Sequence, residues 1–557
     1  MSTLADLQAL LRRLDGGSYG AYKRIRGLWA GDQLDVAIDH VQGDPFAAPS
    51  VVRVRVRHHG YEPAALRAGP GRVALCDLLL RRFAAATRKS ARKGSGKSGV
   101  IDVDAGGAAL LARSGCDIVD DAIELRFRVG LPAAGRRVLG RVAAELLCDA
   151  IPAMADAVRA SSVRTEDIRS WQRSALQHAE LTRQLEAAGL VAFVADGSVL
   201  PRASGVDTKP LPGAIAMKAP DALRVELRDL GGEPLPGLGI PRGVTLIAGA
   251  GFHGKSTLLQ ALAEGIYPHV PGDGRERVVT IPSAMKVRSE DGRAVTGVDL
   301  RPFISSLPGS RETRSFSTTD ASGSTSLAAA IIESVELGTR ALLFDEDTCA
   351  TNLLVRDARM QALIQRETIT PLIDRVQQLH AELGVSSVLV VGGSGDYLDV
   401  ADTVIRMDDY HPYDATQRAR EVSAALPSAR EPSANHPEWA PCRRVFTPTS
   451  LAPIRRDRRR GKVRARGLRD LSYGDDTITL DGLEQLVDAS QVRLLGTLLE
   501  WASAQPSGTP IAELAAAAVA QAQHEGLYAL RPSPELAAVR PAEVAAAINR
   551  LRNLAIE

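Results

Sequence analysis

The residues best equipped for chemistry lie between Leu246 and Leu262, in LIAGAGFHGKSTLLQAL. Glycines stand at 249, 251 and 254, His253 precedes the last of them, and Lys255, Ser256 and Thr257 follow at once. Where side chains are absent, successive backbone N–H groups can converge on phosphate oxygens. A lysine at that point brings charge to the outer phosphates, and the next hydroxyl is a hard ligand for magnesium. The chemistry implied is capture of a nucleoside triphosphate. Gly249, Gly251, His253, Gly254, Lys255, Ser256 and Thr257 are the candidate binding residues, and Ser256 is also a candidate metal ligand.

Two later stretches could complete such a site. Arg340 to Asp347, RALLFDED, is an apolar run ending in three carboxylates. In this pattern the first acid, Asp345, holds magnesium and the second, Glu346, orients water as the catalytic group. Ser315 to Ser326, SFSTTDASGSTS, leads into an apolar helical run, so Ser322, Gly323 and Ser324 stand where free N–H groups and a helix dipole favour an anion. Taken alone, that run is equally well an ordinary serine N-cap. A further apolar stretch, Ser387 to Val391, ends in Gly392-Gly393-Ser394-Gly395-Asp396. That loop belongs at the carboxyl edge of the same parallel sheet, where open α/β sheets bind ligands.

The elements that must position these groups read as strand, loop and helix around Val244 to Leu262, with a turn at Pro271 to Gly274 and a strand at Val278 to Ile281. Ahead of them, Val51 to Arg57 and Glu124 to Val129 alternate, with valines, Leu125 and Phe127 on one face and Arg53, Arg55, Arg126 and Arg128 on the other. In a shared sheet that arginine face would suit a polyanion, or it would simply turn charge toward water. Arg136 to Leu147 reads as a helix. Near the end, Asp481 and Glu484 form a capping box for a helix, and Pro541 with Glu543 begins the last one.

Size and composition bound the rest. A chain of 557 residues implies roughly three or four domains, and 45% apolar content supplies their cores. Net charge is only +2, so basic surface must be local. It is concentrated in Arg88 to Lys97 and in Arg455 to Arg466, each either a solvated segment or an arm for RNA or DNA. The five cysteines lie far apart without a CxxC pair, which points to a reduced, cytoplasmic protein. No run reaches the 18 or more apolar residues of a membrane helix. The segments read as an N-terminal α/β domain over 1–185, a nucleotide-binding domain over 186–425, a basic linker over 426–466 and a small, mainly helical domain over 467–557.

Phosphate loop, serine-glycine helix start, acidic strand and late glycine loop, in that order, resemble an ATP-binding cassette (ABC) ATPase. Ser322-Gly323-Ser324-Thr325 is similar to the later part of that family's signature, and Asp347 to Asn352 to the segment after its acidic strand. SYGAYKRIRGLW, DHVQGDPFAAPS, SGVDTKPL, GDGRERVV, DASGSTS, DEDTCATN and VVGGSGDYLDVADTVI, with the phosphate loop, resemble the bacterial family described as predicted ATPase of the ABC class. These blocks run from residue 18 to about 406.

The resemblance implies a P-loop fold binding ATP and magnesium, and a head-to-tail homodimer in which Ser322 and Gly323 meet the partner's nucleotide. It implies a non-transport ATPase acting on a macromolecule such as RNA or DNA, or a nucleic-acid-binding protein that uses ATP as a switch. Three departures stand out. No glutamine occurs between Gln260 and Gln361, so Glu290 or Asp291 is expected in that region. Gly393 and Ser394 stand where a switch histidine is expected, and no aromatic lies between Asp196 and Phe252. Slow hydrolysis is the corresponding expectation.

Overall fold

Alternation at Val52, Val54 and Val56 buries one face of the strand Ser50–Val56, and the same periodicity buries Ile123, Leu125, Phe127 and Val129 of Ala122–Val129. A computed structural model of the chain describes residues 2–88, 94–205, 207–307, 312–364, 366–433, 439, 443–453 and 461–557. Of the two basic segments, Lys89 to Lys93 and Arg455 to Arg460 therefore lie outside the described residues, as does Cys442. The other four cysteines are free thiols.

By compactness the chain divides into two units. One comprises Met1–Leu176 and Ala522–Ala538, the other Gln177–Gln521 and Val539–Glu557. In the first unit an antiparallel sheet runs in the order Gly27–Ala30, Leu34–His40, Ser50–Val56, Ala122–Val129, Ile101–Asp102, with Cys116–Val119 also paired to Ala122–Val129. Its core joins these strands to the helix Pro70–Thr87 through Leu75, Leu79 and Phe83.

The two arginine-bearing strands do pair, with Arg53 opposite Arg126. Their charged face, however, neither turns to water nor stays open for a polyanion. Arg53 donates to Asp39 at 2.6 Å and to Glu124 at 3.1 Å, and Arg126 donates to Glu124 at 2.7 Å. Tyr528, from the late segment of the same unit, lays its ring 4.6 Å from the Arg126 guanidinium and donates its hydroxyl to Asp39. Glu535 takes Arg128 at 2.8 Å. Arg126 is left 6% exposed. A buried guanidinium requires such partners; Asp39 and Glu124 are near in sequence, whereas Tyr528 and Glu535 come from about 400 residues downstream, beyond the reach of local pattern.

Another local expectation also changes. Arg137–Val138 is a strand paired antiparallel with Ala133–Ala134, Val138 also exchanges backbone hydrogen bonds with Gly16 and Gly17, and the helix that follows begins only at Gly140.

In the second unit a six-stranded sheet has the order Ala284–Lys286, Ala341–Asp345, Ser386–Val390, Val244–Ala248, Thr403–Asp408, His411–Asp414. The first five strands are parallel and the last pairs antiparallel as a hairpin. Helices Lys255–Glu264 and Gly323–Glu336 follow the phosphate loop and the serine-rich run, the second starting at an N-cap Ser322. A separate four-stranded sheet is built from Arg224–Arg228, Pro234–Pro241, Leu190–Ala195 and Val278–Thr280.

The C-terminal part of this unit is mainly helical, with a small sheet at its start. Val463–Arg466 is an edge strand of a three-stranded antiparallel sheet with Asp470–Tyr473 and Asp476–Thr479. The expected cap at Asp481 and Glu484 does not start a helix. Glu484 is drawn to Lys286 at 2.5 Å, while Gln485 bonds the Ala263 carbonyl and the Lys286 N–H. The helix begins at Ala489 with a capping box of Asp488 and Gln491. Pro541–Ile548 starts as expected, with Glu543 completing its cap.

Candidate functional site

The sheet order explains how the candidate groups meet. Ser386–Val390 lies between the acidic strand Ala341–Asp345 and the phosphate-loop strand Val244–Ala248. Its trailing loop, Val391 to Ser394, therefore emerges between Glu346 and Lys255 at the carboxyl edge. A Cβ placed on Gly392 would stand 3.8 Å from Glu346 Oε2 and 3.9 Å from Lys255 Nζ. Oppositely charged groups 91 residues apart in sequence, Lys255 and Glu346, thus border one space.

Within that space the charges are held by backbone. Lys255 Nζ donates to the carbonyls of Gly249 and Ala250 at 2.7 and 2.8 Å. Glu346 Oε2 accepts the N–H groups of Gly392 and Gly393 at 2.6 and 3.0 Å. Asp345 is buried, and among the described residues its carboxylate receives one contact, at 3.4 Å from the Asp347 N–H. Ser256 is exposed, and its hydroxyl makes no hydrogen bond among the described residues. A carboxylate and a hydroxyl are hard oxygen donors, the kind magnesium takes.

Two loop glycines are structurally required. Gly249 has φ +145°, and a Cβ there would sit 2.4 Å from the Met407 carbonyl; Gly254 has φ +94° and would meet the Tyr410 ring at 2.7 Å. Gly251 faces open space. His253 turns its ring away from the loop cradle: Nδ1 accepts the Asp409 N–H at 2.8 Å, and Tyr410 N–H donates to the His253 carbonyl. Thr257 is half-buried in the first helical turn. Thus the tip of the hairpin Thr403–Asp414, which the sequence reading did not single out, braces the phosphate loop. Its signal was present as Asp408-Asp409-Tyr410, a polar turn directly after the apolar run of the preceding strand.

Ser322, Gly323 and Ser324 stand elsewhere. Ser322 shares a hydrogen bond with Thr325, and Ser324 Oγ donates to Asn352 Oδ1 at 2.7 Å. Gly323 neighbours Ser289, Asp291 and Ala350. Among the described residues no hydrogen bond or ion pair joins these three to Lys255, Ser256 or Glu346. Of the two acids expected in place of the missing glutamine, Asp291 lies beside Gly323. Glu290 instead forms a bidentate ion pair with Arg550, and its backbone N–H binds Ser326 Oγ.

An acidic strand and a glycine phosphate loop on one parallel edge, with a serine-capped helix beyond, define a P-loop nucleotide-binding protein of the ABC class. The chain belongs to that family. Residues 4–161 match the model described as ATPase of the ABC class N-terminal, residues 164–441 the P-loop domain of the same ATPases, and residues 462–557 the MRB1590 C-terminal domain.

One curated relative is an uncharacterized protein, MJ1628, of Methanocaldococcus jannaschii, 31% identical over 241 residues. The match covers 41% of this chain and 53% of the relative, so the chain spans about half the length of the curated protein it matches. Among solved structures, cbiO1 of Clostridium perfringens, part of the ABC transporter complex cbiONQ, aligns with 16% identity and a TM-score of 0.26, over 43% of this chain and 96% of its own. The ADP form of MJ1267, an ATP-binding cassette of an ABC transporter, aligns with 13% identity and a TM-score of 0.24, over 36% and 94%. No described helix is long and apolar enough to cross a membrane.

Proposed function

We propose that this protein is a non-transport ATPase that binds ATP with magnesium as a homodimer and uses closure around the nucleotide to act on RNA or DNA. The observation that carries the reading is the convergence of Lys255 and Glu346 on the space beside Gly392. Gly249, Gly251, His253, Gly254, Ser256 and Thr257 hold the phosphates, chiefly through backbone N–H groups. Lys255 takes the outer phosphates and Glu346 polarises the attacking water. Ser256 and Asp345 would hold magnesium, which supplies charge neutralisation on the phosphate oxygens. Ser322, Gly323 and Ser324 meet the nucleotide of the second subunit. Their separation from Lys255 within one chain supports that role, because a partner copy is then needed to bring them to a phosphate.

The nucleic-acid branch is supported by Lys462, Arg464 and Arg466, exposed at the end of the second basic segment and without ion-pair partners among the described residues. A second reading, in which ATP is a switch and hydrolysis is minor, is favoured by the grip of Gly392 and Gly393 on Glu346.

Light scattering with and without ATP tests the assembly, and single-turnover hydrolysis with and without RNA separates the two readings. The expected result is an ATP-dependent doubling of mass, lost in Lys255→Ala. A protein that binds no ATP overturns both readings, and one that stays monomeric with ATP bound overturns the dimer.

A further inference from the structure

The late glycine loop has Gly393 and Ser394 where a histidine is expected, yet its backbone contacts the proposed catalytic carboxylate directly. Two successive N–H groups, from Gly392 and Gly393, point at a single oxygen, Glu346 Oε2, at 2.6 and 3.0 Å. Adjacent amides aimed at one point form a small anion nest. Such a nest does not discriminate by name. A carboxylate oxygen and a phosphate oxygen are equivalent acceptors, and both make charge-assisted bonds.

The nest lies where a terminal phosphate would arrive. The Cβ position of Gly392 is 3.9 Å from Lys255 Nζ, the group that serves the outer phosphates. In this structure Lys255 and Glu346 do not pair with each other. Each is satisfied by backbone, the cation by the Gly249 and Ala250 carbonyls and the anion by the nest. A ligand that presents a phosphate between them can exchange both sets of bonds at once. At Gly393 a Cβ would stand 3.2 Å from Glu346 Oε1, so a side chain there would push on the carboxylate.

We infer that the N–H groups of Gly392 and Gly393 form an anion subsite that Glu346 fills in this structure and that the terminal phosphate of a nucleoside triphosphate takes over. The inference rests on the reading of Lys255 and Glu346 as the nucleotide site. It gives that site a preference for triphosphate over diphosphate, because only the triphosphate reaches the nest. It also ties release of Glu346 to the presence of the phosphate to be attacked. Glu346 is then free to act on water only when a substrate is in place.

Titration calorimetry with ADP and with a hydrolysis-resistant ATP analogue tests this. Glu346→Gln puts a neutral, weaker acceptor in the nest, so affinity for the analogue should rise about 10-fold while affinity for ADP stays constant. Gly393→Pro removes one of the two donors and should lower affinity for the analogue about 10-fold without changing ADP. In the double variant the gain from Glu346→Gln should shrink. An analogue-to-ADP ratio unchanged by Glu346→Gln overturns the inference, whether or not Gly393→Pro folds. So does a folded Gly393→Pro that loses both nucleotides equally. Failure of the unaltered protein to bind either nucleotide overturns the ATPase reading itself, and the inference with it.

Discussion

Arg550 and Glu290, 260 residues apart in sequence, form a bidentate ion pair in which both side chains are almost fully buried. Glu290 belongs to the segment that also binds the start of the serine-capped helix, through its N–H to Ser326 Oγ at 2.9 Å. Its neighbour Ser289 accepts the Ala350 N–H at 2.7 Å, just beyond the acidic strand. The last helix is thereby fastened to the loop that joins two parts of the proposed site. A Cβ at Gly482 would fall 2.1 Å from the Glu290 carboxyl carbon, so a glycine is needed for the pair to close.

Removing one partner should cost far more than removing both. Arg550→Ala leaves a buried carboxylate unpaired and is expected to lower stability by about 3–5 kcal/mol, read from the denaturant midpoint. Burial pushes the Glu290 pKa up, but Arg550 and Arg293 outweigh it and hold the carboxylate below its usual range. The pair's contribution is therefore present above the ordinary glutamate pKa and lost as pH falls through the depressed one. Glu290→Gln combined with Arg550→Met should recover part of the loss; equal loss in single and double variants would show that the pair is not coupled.

Glu346→Gln should retain ATP while slowing its hydrolysis about 100- to 1,000-fold, the usual cost of removing a preorganised catalytic group. Single-turnover measurement checks it, and turnover at the unaltered rate removes Glu346 from the role.

His178 carries a pH prediction. Burial pushes its pKa from 6.5 down to about 4, with the nearby His269 adding to the effect, while Nε2 donates to the Gly265 carbonyl at 2.9 Å. The unfolded chain takes up the proton first, so stability is complete above the unfolded pKa and falls as pH drops toward the folded one. The shift is worth about 3 kcal/mol in all. His178→Gln keeps a donor toward Gly265 and should flatten the dependence of the thermal midpoint between pH 6.5 and 4, relative to the unaltered protein. Identical pH profiles would count against the buried neutral histidine.

If the basic segment binds nucleic acid, affinity should drop steeply between roughly 50 and 200 mM salt. Each arginine that meets a phosphate contributes a slope of about 1, so Arg464→Gln with Arg466→Gln should flatten the plot of log affinity against log salt by about 2. Neutralising Arg458 to Arg460 should flatten it further. Binding that ignores salt, or no binding, removes the nucleic-acid branch and leaves the ATPase reading standing.

The sequence by itself determined what is local. Gly249 to Thr257 specifies a phosphate loop, with glycine required by the backbone at 249 and 254. The apolar runs ending at Asp345 and Val391 specify parallel strands whose loops share one edge, and Ser322 reads as a helix cap from its own neighbours. What only tertiary structure decided comes from contacts across hundreds of residues. Tyr528 and Glu535 fold onto the arginine face of the first unit, where Asp39 and Glu124 already pair with Arg53 and Arg126, so a stripe that alternation alone would leave open is closed. Glu484 gives up a helix cap to reach Lys286. Glu346 finds its partners in the N–H groups of Gly392 and Gly393 where the late strand pairs beside the acidic one, and Lys255 borders the same space because strand order, not sequence order, sets the phosphate-loop strand on the late strand's other side. Backbone spacing and side-chain periodicity are encoded within a few residues; the pairing of buried charges is settled only when distant elements pack and each ion must find a counterpart.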